Sequence, residues 1–525
     1  MDSAQNPLVL GPVVAPLLGA AISLLLSRRN RVQRIIGLIA GLIAWTCSVL
    51  VLLQNLEAGS IGVQVYRLGG YQPLFGIVFV ADLLAALFSV MSTTVLLAGL
   101  LYCLTSREHS LTYPVFMPAF LCMCAGLAGS FYTGDAFTLF VFIELMVMSS
   151  VVMVAIADNQ LGLEAAMKYL LISGIGSLLL LLGIAALYTT FGTLNLAQIS
   201  QAYLTGQRPL LTVPASIMLN SAFLIKSAVF PFHFWQPDFH TTAPTPVSGM
   251  LSSVVVKVGI YAIIRNNTSY MTQELGFIQT ILITLGIVGI FFGSLSALRT
   301  WNAKRMLAYS TLAQVGFILV ALGWGSPVAL VACVIYIFNH AFIKSGLLML
   351  TGALASQNER HSADFKDLAG IGRGQTALSA LYLIGALSLA GVPPLNGFIS
   401  KLALVRGGTD VESWITLGLV VGGGLLTMIY TTRTWQWIFQ RPATAQQAPR
   451  AAHSDNPLAP ALLIGACVAL GIFATPLIEI TEATVQQATN PAIYICAVLP
   501  QEMTGGMALP EGAVDCGAVL ASAAR

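Results

Sequence analysis

The sequence predicts an all-α polytopic membrane protein of about fourteen transmembrane helices, and three observations lead there. Apolar runs of about 20 residues, long enough to cross the hydrocarbon, recur along the chain with short connections between them. Only 9% of the 525 residues are charged, far below the roughly 25% of an ordinary soluble domain, and mean hydropathy is +0.83. Strand-like alternation over about ten residues is not evident, so the spans satisfy their own backbone hydrogen bonds as helices and not as a barrel.

The spans begin near residues 7, 34, 74, 113, 134, 162, 210, 242, 274, 303, 327, 374, 412 and 456. The first lacks a basic leader and a small-residue cleavage site, so it reads as a retained helix. Residues 1–112 hold helices 1–3, 113–265 helices 4–8 and 266–440 helices 9–13. Residues 441–480 hold the one real linker, RPATAQQAPRAAHSD, and helix 14, while 481–525 form a loosely ordered Gly/Ala-rich tail. Lys and Arg concentrate in alternate loops: Arg28, Arg29, Arg31 and Arg34 after the first span, Arg107 after the third, Arg299, Lys304 and Arg305 after the ninth. Arg360, Lys366 and Arg373 follow the eleventh, and Arg433, Arg441 and Arg450 the thirteenth. The opposite loops and the tail carry only Arg67, Arg208, Arg265, Arg406 and Arg525. Cytoplasmic loops keep the positive charge, so both termini are expected on the outer face of a bacterial inner membrane. Cys496 and Cys516 would then lie in an oxidising space, where a disulfide can form. The other cysteines have no CxxC or Cys/His ligand spacing and read as small buried hydrophobes. The net charge of +3 is spread without a basic block, so nucleic-acid binding has no electrostatic footprint.

Inside the spans remain Asp82, Glu144, Lys168, Lys226, Lys257, His340, Lys344 and Lys401. A charge near the bilayer centre costs about 2.5–3.5 kcal/mol even on a lenient insertion scale, so these groups must face one another or water. The plainer reading makes each a satisfied ion pair or a lysine snorkelling at a helix end. It suits Lys168, which has Glu164 four residues before it on the same face, and Lys344. Glu144, Lys226, Lys257 and Lys401 instead sit well inside apolar runs such as FTLFVFIELMVMSS and LSSVVVKVGIYAI. Buried lysine suits proton movement, because desolvation disfavours its charged form and a neighbouring carboxylate favours it. Glu144 beside Lys226 would make such a switch, with Lys257 accepting the proton and His340 and Lys344 leading on to Lys401.

Two spans carry helix breakers at membrane depth. KSAVFPFHFWQP places Pro231 and Pro237 after Lys226, and LAGVPPLNGFISK places Pro393, Pro394 and Gly397 before Lys401. Helices 7 and 12 should therefore unwind locally, which a bilayer tolerates only where the freed groups face protein or water. Breaks in corresponding members of two five-helix blocks suggest inverted repeats at 113–265 and 266–440. The alternative is that these prolines merely kink packed helices.

KSAVFPFHFWQPDFHTTAPTPVSGMLSSVVVKVGIY, together with YSTLAQVG, NHAFIKSGLLMLTG and GVPPLNGFISK, resembles the antiporter-like subunits shared by respiratory complex I, membrane-bound hydrogenases and Mrp-type cation/proton antiporters. The likeness covers about residues 75 to 440. It implies fourteen helices with two inverted repeats and a proton relay in which Glu144, Lys226, Lys257 and Lys401 match the family's ionisable positions. His340 and Lys344 match its NHAxxK signature. Lys401 stands where one complex I subunit type has glutamate, and the chain ends soon after the fourteenth span, without the lateral helix or extra spans of larger members. FWQPDFHTTAPTP and the length look most like the Mrp D-type subunit, although many relatives have LPDAH where this chain has Gln236, Pro237, Asp238, Phe239 and His240.

The resemblance implies one component of a sodium/proton antiporter, an ion transporter and not an enzyme, working only with other membrane subunits and moving protons and Na+ or K+. The rival implication is a proton pump driven by a redox module. Neither needs a cofactor held by this chain, which has no flavin, iron-sulfur or quinone ligand pattern and no metal-ligand spacing. A stand-alone solute carrier would instead need a roomy, mostly uncharged midplane pocket.

Overall fold

In a computed structural model of the protein, the described residues are 5–71, 73, 76–204, 210–270, 275–443, 449, 451, 454–499 and 516. Arg208, Arg450, Arg525, part of the 441–456 linker and the tail beyond Leu499 other than Cys516 lie outside them. The chain is predominantly helical: α1 Gly11–Leu25, α2 Asn30–Glu57, α3 Leu83–Thr105, α4 Phe116–Tyr132, α5 Ala136–Ala155, α6 Gln160–Phe191, α7 Leu196–Leu204, α8 Thr212–Lys226, α9 Trp235–Thr242, α10 Thr245–Met250, α11 Val256–Arg265, α12 Leu275–Arg299, α13 Ala303–Trp324, α14 Pro327–Ala355, α15 Phe365–Leu368, α16 Thr376–Ala390, α17 Asn396–Asp410, α18 Trp414–Phe439, α19 Leu458–Ile472, α20 Thr475–Ala488 and α21 Pro491–Val498. Among the described residues ten helical stretches are long and apolar enough to cross a membrane, and α19 with α20 makes up to eleven. This is a multi-pass membrane protein. α4 and α16 are apolar but shorter, and α8 and α17 are cut short by the proline breaks expected for them.

Four expectations need correction. The third span, expected from about residue 74, becomes helical only at Leu83, because Val78–Ala81 is a strand paired antiparallel with Gln64–Arg67. Every residue of that strand is buried, so it reads as the start of an apolar run and not as an alternating strand. The fold is thus helical with one small hairpin. The last span is not straight: α19 and α20 meet at 81°, with Pro476 in the first turn of α20. At the bend Gly471 touches the break in the α16–α17 span, where a Cβ would collide with the Pro394 carbonyl oxygen.

The tail expected to be loose from residue 481 is helical through Val498. Its anchor is Gln487, which accepts from the Leu83 N–H at 2.8 Å and donates to the Gly62 carbonyl at 3.0 Å. Cys496 and Cys516 are joined in a disulfide. Arg265, expected in a loop, lies buried at the end of α11.

The core lies around α10–α11. The Thr245–Ser269 stretch is wholly buried, whereas only 28% of the most apolar window of α2 is, although α2 is the more apolar of the two. Apolar length alone does not distinguish a helix facing lipid from one facing protein, because both environments are oily.

Candidate functional site

Lys226 is the last residue of α8. The helix stops because Ala228 takes a left-handed conformation (φ 53°) and Pro231 has no N–H to offer. The ammonium therefore sits at the carbonyl end of a helix, which favours a cation. From there Nζ donates to Glu144 Oε1 on α5 at 2.8 Å, and to Ser173 Oγ and Ser177 Oγ on α6, each at 2.7 Å. Ser177 Oγ in turn donates to the same Glu144 oxygen. All three ammonium donors are satisfied. The lysine side chain is only 3% exposed and the glutamate 19%, so the pair opens outward on its carboxylate side.

Lys257 follows a wide π-turn at Leu251–Val255 and is wholly buried. Its Nζ donates 2.5 Å to the Ser252 carbonyl, five residues back on the widened turn. Ser252 Oγ meets Thr311 Oγ1 of α13 at 2.5 Å, and Thr311 donates to the Leu307 carbonyl at 3.0 Å. Lys344 of α14, also wholly buried, donates to that same carbonyl at 2.7 Å. The structure thus gathers Lys257 and Lys344 around one hydroxyl and carbonyl cluster. α11 passes close to the end of α8 at Gly259, where a Cβ would collide with Ser227 Oγ. Among the described residues no side-chain hydrogen bond links Lys226 to Lys257 directly.

His340 lies one turn before Lys344, and among the described residues neither of its ring nitrogens has a hydrogen-bond partner. It lines a cavity of about 10 Å³ with Gln314, Tyr336, Ser388, Gly397 and Ser400, room for about one water. Tyr336 Oη donates to Gln314 Oε1 at 2.5 Å.

The second break runs from Gly391, at φ 84°, to the start of α17 at Asn396. The freed groups are met inside the protein. Asn339 donates to the Asn396 carbonyl at 3.2 Å and to Ser400 Oγ at 3.0 Å, and Ser388 Oγ donates to Asn396 Oδ1 at 2.5 Å. Lys401 folds back over Gly391 and donates to the Ala390 carbonyl at 2.5 Å, with the Phe317 ring 5.8 Å away. Among the described residues it has no carboxylate partner.

Sequence reasoning missed several polar groups. Ser173 and Ser177, four apart in an apolar run, carried a readable signal. His240 was within a quoted motif; it is wholly buried, with Nδ1 2.9 Å from Ser248 Oγ and, among the described residues, no partner for Nε2. Arg265 forms a two-pronged pair with Asp82 at 2.6 and 2.7 Å, and Asp82 caps the start of α3 instead of lying deep within it. Lys168 meets Glu164 at 2.6 Å and also Asp238 of α9 at 2.7 Å, which Arg305 of α13 joins at 3.0 Å. Phe239, at the departure from LPDAH, packs edge-on against Tyr169 with ring centres 5.3 Å apart. Among the described residues no cluster of three or more His, Cys, Asp or Glu side chains could hold a metal ion.

Residues 133–427 match the family described as NADH:quinone oxidoreductase/Mrp antiporter, transmembrane. The D-type subunit of the Na(+)/H(+) antiporter of Alkalihalophilus pseudofirmus is 30% identical over 504 residues, covering 95% of this chain and 100% of that protein. The D-type subunit of the probable K(+)/H(+) antiporter of Rhizobium meliloti is 30% identical over 543 residues, covering 96% of this chain and 100% of its own. A chain of the Mrp complex from Dietzia sp. DQ12-45-1b superposes with a TM-score of 0.84 at 23% identity, over 94% of this chain and 99% of that one, a likeness of fold. With more than half its length matched and full-length relatives at this identity, the chain belongs to the NADH:quinone oxidoreductase/Mrp antiporter transmembrane family.

Proposed function

We propose that the protein is the proton-translocating subunit of a multisubunit monovalent cation/proton antiporter, of the Mrp D type. The observation that carries this reading is the Glu144–Lys226 ion pair, 2.8 Å long, buried at a helix break among membrane-spanning helices. A pair of this kind can hold or release a proton according to the distance between its members. The relay runs from Glu144 and Lys226 through Lys257, Lys344 and His340 to Lys401, with water in the gaps that side chains leave open. The small cavity beside His340 supports such a gap.

Counting α4, the broken α8–α9 and α16–α17 spans and the bent α19–α20 pair with the unbroken helices gives fourteen spans. The two breaks, one just after Lys226 and one just before Lys401, support inverted repeats at 113–265 and 266–440. The loop arginines support both termini on the outer face of a bacterial inner membrane. A Cys496–Cys516 disulfide fits that placement. Other membrane subunits complete the exchanger, and the transported cation is Na+ or K+, the ions in the names of the relatives. A redox-driven pump is the less favoured reading, since the two relatives 30% identical over 95% and 96% of this chain are antiporter components.

The test replaces Lys226 with Ala in the assembled complex and measures cation-dependent proton flux in vesicles. Flux should fall to background with assembly intact. Normal flux in a normally assembled complex overturns the role of this residue.

A further inference from the structure

Away from the lysines, a crevice of about 510 Å³ lies between the first turns of α14, the outer half of α17 and α20. Its volume falls within the roughly 300–1,000 Å³ of small-molecule sites. Val331, Ile335, Ile399 and Leu402 make most of its wall apolar, and two charged side chains, Arg406 and Glu482, line it with them. Arg406 is seven residues beyond Ile399 on α17, about 10 Å nearer the helix end, so the charge stands toward the membrane surface and the apolar wall lies deeper. Leu402 and Val328, which both line it, are each 40% exposed, so the crevice is open at the outside of the helix bundle. Among the described residues neither Arg406 nor Glu482 enters an ion pair, with each other or with anything else.

We propose that this crevice binds one phospholipid whose headgroup carries both a phosphate and a primary ammonium, with its acyl chain against the apolar wall. Two unpaired charges of opposite sign beside one apolar slot match a zwitterion. Arg406 donates to the phosphate and Glu482 accepts from the ammonium, both as charge-assisted hydrogen bonds. A headgroup with phosphate alone leaves Glu482 facing a like charge. A trimethylated headgroup satisfies Arg406 but has no N–H for Glu482. The site goes beyond the transport reading and does not depend on which cation is moved.

The experiment uses the assembled complex in bilayer discs of equal phosphatidylethanolamine, phosphatidylglycerol and phosphatidylcholine, with retained lipid counted by native mass spectrometry. The unaltered complex should retain phosphatidylethanolamine in preference to the other two. Arg406→Gln should lower that retention about tenfold, the order of one charge-assisted hydrogen bond. Glu482→Gln should remove the preference for phosphatidylethanolamine over phosphatidylcholine and leave the latter's retention unchanged. Equal retention of all three lipids, or retention indifferent to Arg406→Gln, overturns the proposal. A photoreactive residue at Leu402 separates lipid from protein: a lipid adduct supports the site, and an adduct with another subunit overturns it.

Discussion

The two lysines beside the two helix breaks are held in opposite ways. Lys226 faces a carboxylate and two hydroxyls, whereas Lys401 faces a backbone carbonyl at 2.5 Å and an aromatic ring. The first is a charge pair whose members need each other. The second is a cation in a neutral cage, which can lose its charge without stranding another. One residue type beside two helix breaks is thus tuned by its partners, which come from different helices in the two cases.

The largest effect should follow from Lys226→Ala, which leaves the half-buried Glu144 carboxylate without its cation. Breaking a buried pair costs about 3–5 kcal/mol, read as a fall in the thermal unfolding midpoint of the assembled complex. Glu144→Gln should cost somewhat less, about 2–4 kcal/mol, because Ser173 and Ser177 still accept from the ammonium. Joining Glu144→Gln with Lys226→Ala should recover about 1–3 kcal/mol against the sum of the two single changes. Strict additivity in that cycle would mean the pair is not a functional unit.

Gly391→Ala should cost about 1–2 kcal/mol, since φ is 84° and the new Cβ would stand 2.5 Å from Lys401 Cδ. Ala228→Gly, at φ 53° in the first break, should be neutral or slightly stabilising on the same measurement. Lys401→Ala should cost only about 1 kcal/mol, one hydrogen bond to a carbonyl with no charge left behind. A loss as large as that of Lys226→Ala would reveal a carboxylate partner and break the contrast between the two sites. Around Lys226 the smallest loss is expected from Ser177→Ala, about 0.5–1 kcal/mol, because Ser173 still accepts from Lys226.

Much of the site is legible in the sequence. Glu144, Lys226, Lys257 and Lys401 stand out because charges in apolar runs are costly, and the prolines mark both breaks. The wide turn before Lys257 is not legible, since LSSVV contains neither Gly nor Pro. Arg265 reads as a loop residue because it ends an apolar run, yet its partner Asp82 lies 183 positions away. The hairpin strand Val78–Ala81 reads as the start of a helix because burial on both faces removes the alternation that would announce it.

The amino-acid order by itself determined which segments enter the membrane, which ionisable groups they carry inside and where the helices break. These follow from transfer cost and backbone chemistry along one stretch of chain. Only the tertiary structure decided that Lys226 meets Glu144 across 82 positions while Lys401 meets no carboxylate among the described residues, and that the Thr245–Ser269 stretch is central while α2 is peripheral. Lipid and protein interior are alike in oiliness, so hydropathy places a helix in the membrane without choosing its neighbours. That choice belongs to the close packing of helices from distant parts of the chain.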